Sequence, residues 1–319
     1  MNPTTSIPPS PASPVEADFV RSALPPRKSD GHKGDFGKVL IIGGSVGYTG
    51  APYLTARAAV CSGCGLVYLG VPESIWAVEA VKCVSAMPFP LSGSEGGALS
   101  WKALPVIFER LAGCDVLALG PGLSRDEGAA ALAREVLRRT EKPVVLDADG
   151  INALEGHIDI LDQRRGRVTI LTPHEGEFAR IGGDLTPGRV QAAVKFAAAH
   201  QCFLVLKGHR TVTASPEGAA LVNTTGNSGL AKGGSGDVLT GLTASLLAQG
   251  AAPIHAAAGA VWLHGRAADL AAERLTPYCL TPEDVIAYLP EVIKGYWRMD
   301  NEGIRQGRIR FHQSGPSGR

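Results

Sequence analysis

The segment Asn223-Thr-Thr-Gly226-Asn227-Ser-Gly229-Leu-Ala-Lys232-Gly233-Gly234-Ser235-Gly236-Asp237 carries the sharpest chemical signal in the chain. A glycine-rich turn opens directly into a predicted helix over 236–249, whose apolar face repeats at Val238, Leu242 and Leu246. Unpaired N–H groups at a helix start, aligned with the helix dipole, make an anion site. Glycines let such a backbone close around phosphate oxygens. No Gly-Lys-Ser/Thr stands at the spacing of a Walker loop. Asp237, at the loop–helix junction, is placed to take a proton from an attacking hydroxyl. The competing assignment makes Asp237 a helix cap and the glycines a mere turn.

Three other segments offer chemistry, each at the end of an apolar run. Lys207-Gly208-His209-Arg210-Thr211 supplies cations and backbone donors suited to a nucleotide phosphate or ribose, or else a solvated hairpin turn. Thr172-Pro173-His174-Glu175-Gly-Glu177 offers a histidine for a substrate hydrogen bond and carboxylates that could bind Mg²⁺ through water. Against that, Thr172 with Glu175 has capping-box spacing, and Pro173 suits a first helical turn. Asp147 and Asp149, at i and i+2, face the same way if the chain stays extended, and could then hold a metal or orient water. Lys33-Gly-Asp35-Phe-Gly37, Gly43-Gly44-Ser45 and Tyr48-Thr49-Gly50-Ala51-Pro52 flank the first strong strand with tight turns. They do not spell Gly-x-Gly-x-x-Gly, so a Rossmann dinucleotide site is not expected.

These segments need elements to hold them. Apolar runs at 38–42, 66–69, 115–119, 144–146, 168–171 and 203–206 are short and continuous, as strands buried on both faces should be. Helical patterns over 126–139 and 188–200 lie between some of them, and 236–249, 253–272 and 282–294 follow. Runs at 211–213 and 220–222, with Pro216-Glu-Gly218 between them, predict an antiparallel hairpin at one edge. The expected fold is therefore α/β: a mainly parallel central sheet with helices on both faces and an antiparallel edge. In such sheets ligands bind beyond the carboxyl ends of the strands, where the polar and glycine-rich punctuation falls.

Thirty-one Lys and Arg balance 30 Asp and Glu, which argues against a nucleic-acid partner recruited by counterion release. No apolar stretch reaches the roughly 18 residues of a membrane helix. The opening residues lack a basic and then apolar leader, so no signal peptide is expected. Six cysteines in mostly apolar settings fit reduced thiols in a cytoplasmic protein, and the lone Cys61-Ser-Gly-Cys64 has no second ligand pair to make a zinc site. Residues 1–17 and 301–319 read as tails around a single domain over 18–300.

Taken in order, His32-Lys33-Gly34-Asp35, Gly43-Gly44-Ser45, Tyr48 to Pro52, Gly120-Pro-Gly122-Leu, Asp147-Ala-Asp-Gly150, Leu171-Thr-Pro-His174-Glu-Gly-Glu-Phe178, Val205-Leu-Lys-Gly208, Asn223 to Gly229 and Gly233-Gly-Ser-Gly-Asp237 resemble the ADP/ATP-dependent NAD(P)H-hydrate dehydratases of the ribokinase-like superfamily. The match covers about residues 30 to 295. It implies a ribokinase-like fold and a lyase that repairs NADH or NADPH hydrated at C6. The (S)-hydrate would be phosphorylated on that hydroxyl by ADP (or ATP), and phosphate would then leave. Carried over residue by residue, the resemblance makes Asp237 the base and places the hydrated cofactor against Ala51, Gly122, His174 and Asp237. It assigns nucleotide and phosphate to Lys207, Gly208, His209, Arg210, Thr211, Asn223, Gly233, Gly234, Ser235 and Gly236, with Mg²⁺ screening the phosphates and no metal ligand specified. Expected partners are the hydrated cofactor, ADP or ATP, a further copy of the chain in a homo-oligomer, and a separate hydrate epimerase. Ser228, Leu230, Lys232, Ser235 and Ser124 depart from the family's usual Pro, Met, Thr, Thr and Gly, and Lys232 adds a cation near the expected phosphate site. The alternatives are an ATP-dependent kinase of the same superfamily, acting on a vitamin precursor or sugar, and a silent nucleotide sensor.

Overall fold

The computed structural model describes residues 12–296. Its strands are β1 (Ser13–Pro14), β2 (Lys38–Ile42), β3 (Leu66–Pro72), β4 (Met87–Leu91), β5 (Val116–Leu119), β6 (Val144–Leu146), β7 (Thr169–Leu171), β8 (Phe203–Leu206), β9 (Val212–Ala214) and β10 (Ala220–Val222). Its helices are α1 (Ala17–Ala23), α2 (Gly50–Cys61), α3 (Glu73–Lys82), α4 (Leu104–Ala112), α5 (Glu127–Arg139), α6 (Asp149–Asn152), α7 (Asp159–Asp162), α8 (Glu175–Arg180), α9 (Arg189–His200), α10 (Ser235–Ala248), α11 (Pro253–Cys279) and α12 (Pro282–Tyr296).

All ten strands join one sheet in the order β1-β10-β9-β8-β7-β6-β5-β2-β3-β4. The strands from β4 to β8 are parallel, whereas β9 runs antiparallel to both β8 and β10, as the hairpin signal implied. Alternate side chains feed opposite layers because strand periodicity is two. Val39, Ile41, Val116, Ala118 and Val145 enter a core with α1, α2, α10, α11 and α12. Leu40, Ile42, Leu117, Leu119 and Leu146 enter a second core with α4, α5 and α9. The central strands thus have no solvent face, which is why they read as unbroken apolar runs.

The chain adds β3 and β4 on one side of β2, then returns to place β5 on its other side. The carboxyl ends of β2 and β5 therefore flank a topological switch point, the place where open α/β sheets form their ligand crevice. Gly43 and Gly44 close this end tightly. Gly44 N–H donates to Pro121 O at 2.9 Å, and a Cβ on Gly43 would lie 2.2 Å from that same oxygen.

Several expectations are corrected. Strand β4 carries Pro88 and Pro90, which broke the strand signal; both are tolerated because β4 is an edge strand. The N-terminal tail does not extend to residue 17: Ser13–Pro14 pair with β10, Val15 N–H donates to Val222 O, and Val15 is buried. Residues 1–11, and the C-terminal tail over 301–319, lie outside the described residues. Helix α11 runs past residue 272 to a kink at Thr276, where φ is +63° and Pro277 follows. The Lys33-to-Gly37 turn precedes the amino end of β2, on the rim opposite the crevice.

The largest fully buried side chain, Arg164, fastens that opposite rim. Its guanidinium donates to Leu137 O and Thr140 O at 2.8 Å each, to Lys142 O at 3.1 Å and to Thr169 Oγ1 at 2.9 Å. Burial pulls its pKa down to about 10, so it remains a cation at neutral pH. Arg164→Met strands these acceptors in the core and is expected to cost about 3–5 kcal/mol in urea unfolding. Turnover per folded molecule should be unaffected, because these partners lie away from the crevice.

Candidate active site

Helix α10 starts after Gly234, whose φ of +96° only glycine adopts without strain. With glycine at the N-cap no side chain caps the helix start; Ser235 N–H donates to Lys232 O at 3.3 Å, and the next N–H groups, at Gly236 and Asp237, stay available to an anion. Asp237 sits in this first turn. Its carboxylate makes no hydrogen bond among the described residues, so it is not the cap that the competing assignment required. Burial, and then the nearby charge of Asp147, push its pKa up to about 7; Asp149 and Glu177 add to the rise and Lys207 opposes it.

Asp147, at the end of β6, is only 1 % exposed. Its Oδ1 accepts from Lys207 Nζ and from Thr172 Oγ1 at 2.8 Å each, and its Oδ2 accepts from Thr240 Oγ1 at 2.8 Å. The Lys207 ammonium also lies 3.8 Å from Glu177. Burial lowers its pKa, but the carboxylates of Asp147, Glu177 and Asp237 outweigh that and raise it, so the lysine stays charged. A Cβ on Gly236 would stand 3.2 Å from Lys207 Nζ, which puts the ammonium directly against the start of α10.

Asp147 and Asp149 do not act as a same-face pair. Ala148 has φ +49° and ψ −122°, which turns the chain before α6 begins. Asp149 instead accepts from Ser124 N–H at 3.0 Å and from Asn152 Nδ2 at 3.0 Å. The capping box of α8 is also real but shifted. His174 Nδ1 accepts from Gly176 and Glu177 N–H, while Glu177 Oε2 accepts from His174 N–H at 2.8 Å. Thr172 is excluded from that role because its hydroxyl already bonds Asp147. About half the His174 side chain remains exposed, and its backbone bridges to Lys207.

Ala51 and Gly122 meet at the switch point: a Cβ on Gly122 would lie 3.1 Å from that of Ala51. Thr49, the N-cap of α2, is held by Lys82 Nζ at 2.8 and 2.9 Å, which steadies the turn carrying Ala51. Of the Lys207-to-Thr211 segment, only Lys207 reaches into this network. Thr211 Oγ1 closes the turn on Gly208 O at 2.9 Å, and His209 and Arg210 stand exposed beside it. Asn223 turns its side chain to Thr225 and shapes its own loop. That loop is tied to α11 by Thr225 Oγ1 to Trp262 O and by Asp269, which accepts from Gly226 N–H and Asn227 Nδ2. Gly233 is exposed, with open space where a Cβ would point, while Ser235 is buried and its hydroxyl finds no partner among the described residues. Lys232 points away from the crevice: its ammonium donates to Tyr278 O at 2.7 Å and to Leu280 O, capping the kinked end of α11.

Residues absent from the sequence assignment also belong here. Arg189 donates to Leu206 O and Lys207 O, bracing the end of β8. His264 of α11 is buried behind the glycine turn; burial, and then the charge on Lys207, pull its pKa down to about 4, so it is neutral. Thr240, Thr243 and Ser245 are all polar within a largely apolar helix, and of the three Thr240 alone turns its hydroxyl to Asp147, which no sequence pattern distinguishes. Cys61 and Cys64 flank a helix end without forming a site, and no cluster of three or more His, Cys, Asp or Glu able to hold a metal occurs among the described residues.

A model of the NAD(P)H-hydrate dehydratase family matches residues 39–291. A bifunctional NAD(P)H-hydrate repair enzyme of Moorella thermoacetica is 45 % identical over 284 residues, 88 % of this chain and 53 % of that protein. The chain thus spans about half the length of that curated relative. Among solved structures, a ribokinase-like superfamily protein of Enterococcus faecalis aligns with TM-score 0.78 and 27 % identity, over 90 % of this chain and 96 % of that one. The ADP/ATP-dependent NAD(P)H-hydrate dehydratase of Bacillus subtilis, co-crystallised with ATP/Mg²⁺, aligns with TM-score 0.74 and 30 % identity, over 90 % and 99 % of the two chains.

Proposed function

Because this chain belongs to the NAD(P)H-hydrate dehydratase family, we propose that it converts the (S)-hydrate of NADH or NADPH back to the reduced cofactor, with ADP as phosphoryl donor. The products are NAD(P)H, AMP and phosphate. One observation carries the reading: a carboxylate with raised proton affinity stands without a hydrogen-bond partner beside an ammonium, at the open start of a glycine-led helix.

The chemistry follows from those groups. Asp237 takes the proton of the C6 hydroxyl as its oxygen attacks the terminal phosphorus. The N–H groups at Gly236 and Asp237, with Lys207, stabilise the charge that builds on the phosphoryl oxygens. Hydroxide is a poor leaving group and phosphate a good one, so the ring nitrogen's electron pair can then expel phosphate from C6, and C5 gives up a proton to water as the C5–C6 double bond forms. Ala51 and Gly122 at the switch point, with His174 after β7, would contact the hydrated nicotinamide, and the Lys207-to-Thr211 turn would contact the nucleotide.

Asp147, Glu177 and Asp237 stand around the Lys207 ammonium, Asp149 lies near Asp237, and the phosphates of a nucleotide would add more negative charge. The described carboxylates form no cluster able to hold a metal by themselves, so a hydrated Mg²⁺ would be held chiefly by the nucleotide's phosphates, whose charge it would neutralise. Asp147 is committed to protein donors, so the ion would rest on the nucleotide's own oxygens and touch Asp149 and Glu177 only through water.

Hydration at C6 yields both configurations, so a separate epimerase supplying the (S)-hydrate is the proposed partner activity. A homo-oligomer is the proposed assembly. No helix among the described residues is long and apolar enough to cross a membrane, and the proposed setting is the cytoplasm.

The test is purified protein with (S)-NADH hydrate, Mg²⁺ and ADP or ATP, following recovery of reduced-nicotinamide absorbance. Recovery with ADP supports the reading. A stable phosphorylated product without elimination favours the kinase, and no recovery with either nucleotide rejects the dehydratase. Since Lys232 faces carbonyls and not the crevice, Lys232→Ala should leave the ratio of ADP- to ATP-driven rates unchanged. It should lower the melting temperature by about 2–4 °C, as lost hydrogen bonds of about 1 kcal/mol predict.

A further inference from the structure

We propose that Asp147 is a positioning residue that acts through Lys207, holding the ammonium against the start of α10 where a phosphoryl group would sit, and keeping it off Asp237. The inference rests on the reading above for its chemistry, but the geometry stands by itself. Asp147 is buried beneath the crevice and binds donors from three separate elements: Thr172 after β7, Lys207 after β8 and Thr240 within α10. The two threonine hydroxyls leave the carboxylate a single orientation, and its third strong contact is the lysine.

A lysine needs such an anchor. Its ammonium is a point charge on a flexible stem with three donors, and by itself it settles on whichever carboxylate is nearest. Closure on Asp237 would neutralise the group that must accept a proton. In the structure the short ion pair, 2.8 Å, is with Asp147, and Asp237 is not among the lysine's ion-pair partners within 4.0 Å. The anchored ammonium lies where a Gly236 Cβ would be 3.2 Å away, and Asp147 Oδ2 follows at 3.7 Å. Glycine at 236 therefore leaves open the short path between the cation and the N–H groups of the helix start.

A double-mutant cycle over wild type, Asp147→Asn, Lys207→Met and the double variant tests this, because it isolates a residue that works through another. Asparagine keeps the size and one acceptor while removing the charge. Asp147→Asn is expected to lower kcat about 10–100-fold, and Lys207→Met at least as much. The double variant should match Lys207→Met alone within about 3-fold. A purely structural role would lower the melting temperature but leave kcat per folded molecule intact. Wild-type kcat in Asp147→Asn, or losses that multiply in the double variant, overturns the proposal.

If Asp147→Asn does not fold, Thr240→Val serves in its place. It removes one arm only and should lose about 3–10-fold in kcat, a loss that vanishes in the Lys207→Met background. If the wild type fails to dehydrate the hydrate, the functional reading falls while the positioning is still scored. The same cycle on ADP affinity by calorimetry should then show equal weakening in both single variants and no further weakening in the double. Multiplying losses there would sink the positioning claim as well.

Discussion

Asp237→Asn is expected to lower kcat about 100- to 10,000-fold, the span that a lost general base removes, while ADP affinity stays within about 3-fold. The two readouts separate because the proposed phosphate cradle is made of backbone N–H groups, and asparagine leaves these in place. The wild-type rate should rise with pH around a midpoint near 7, since Asp237 must be ionised to act and burial, then Asp147, push its pKa up to about 7. The same shift makes a statement about stability. A carboxyl whose folded-state pKa lies above its unfolded value of about 3.9 favours the folded protein when protonated. That contribution is complete below the unfolded pKa and is lost as pH rises through about 7. Asparagine is neutral throughout. Asp237→Asn should therefore melt a few degrees above wild type at pH 8, with the gap closing toward pH 4. A variant that is both slower and more stable in alkaline buffer is the signature of a charge held in place for function. Unchanged kcat, or a flat pH profile in the wild type, removes Asp237 from the role of base.

Gly120→Ala is expected to damage both fold and site. Gly120 has φ +124°, a region that side-chain-bearing residues avoid, and a Cβ there would lie 1.9 Å from Asp147 O and 2.6 Å from Gly150 N. Both contacts are backbone, so no rotamer change relieves them. The end of β5 must move away from the Asp147 turn, at a cost of about 3–5 kcal/mol. For a domain of this size that corresponds to a fall of about 6–20 °C in melting temperature. The displaced carbonyl belongs to the residue whose carboxylate holds Lys207, so kcat should fall in whatever fraction remains folded. Thermal melting and turnover measured on the same preparation check this, and a wild-type melting curve for Gly120→Ala would refute the close approach.

Much of the architecture was legible because it rests on local rules. Continuous aliphatic runs such as 38–42 and 203–206 mark strands covered on both faces, and each proved to be one. Glycine followed by an apolar 3.6-residue repeat marked α10 to within one residue at each end. The hairpin of β9 and β10 was visible from two short runs around Pro216 and Gly218. Strand β4 was not, because its prolines carry meaning only once its edge position is known. The seat of Ser13–Pro14 was missed for a related reason: its partner β10 lies over two hundred residues away, and no local pattern records a pairing so distant.

Residue types and spacing were enough to specify a mainly parallel α/β sheet and a glycine-led late helix with Asp237 in its first turn. Which side chains face one another was settled by the fold. Asp147 and Asp149 look alike as a pair two apart, yet one backbone twist at Ala148 sends them to different partners. Lys232 and Lys207 look equally suited to a phosphate, yet one caps a kinked helix and the other meets a buried carboxylate. The reason is physical. Local conformation depends on neighbours along the chain, whereas charge, burial and proton affinity depend on neighbours in space, and those arrive from β6, β7, β8 and α10 only when the sheet closes.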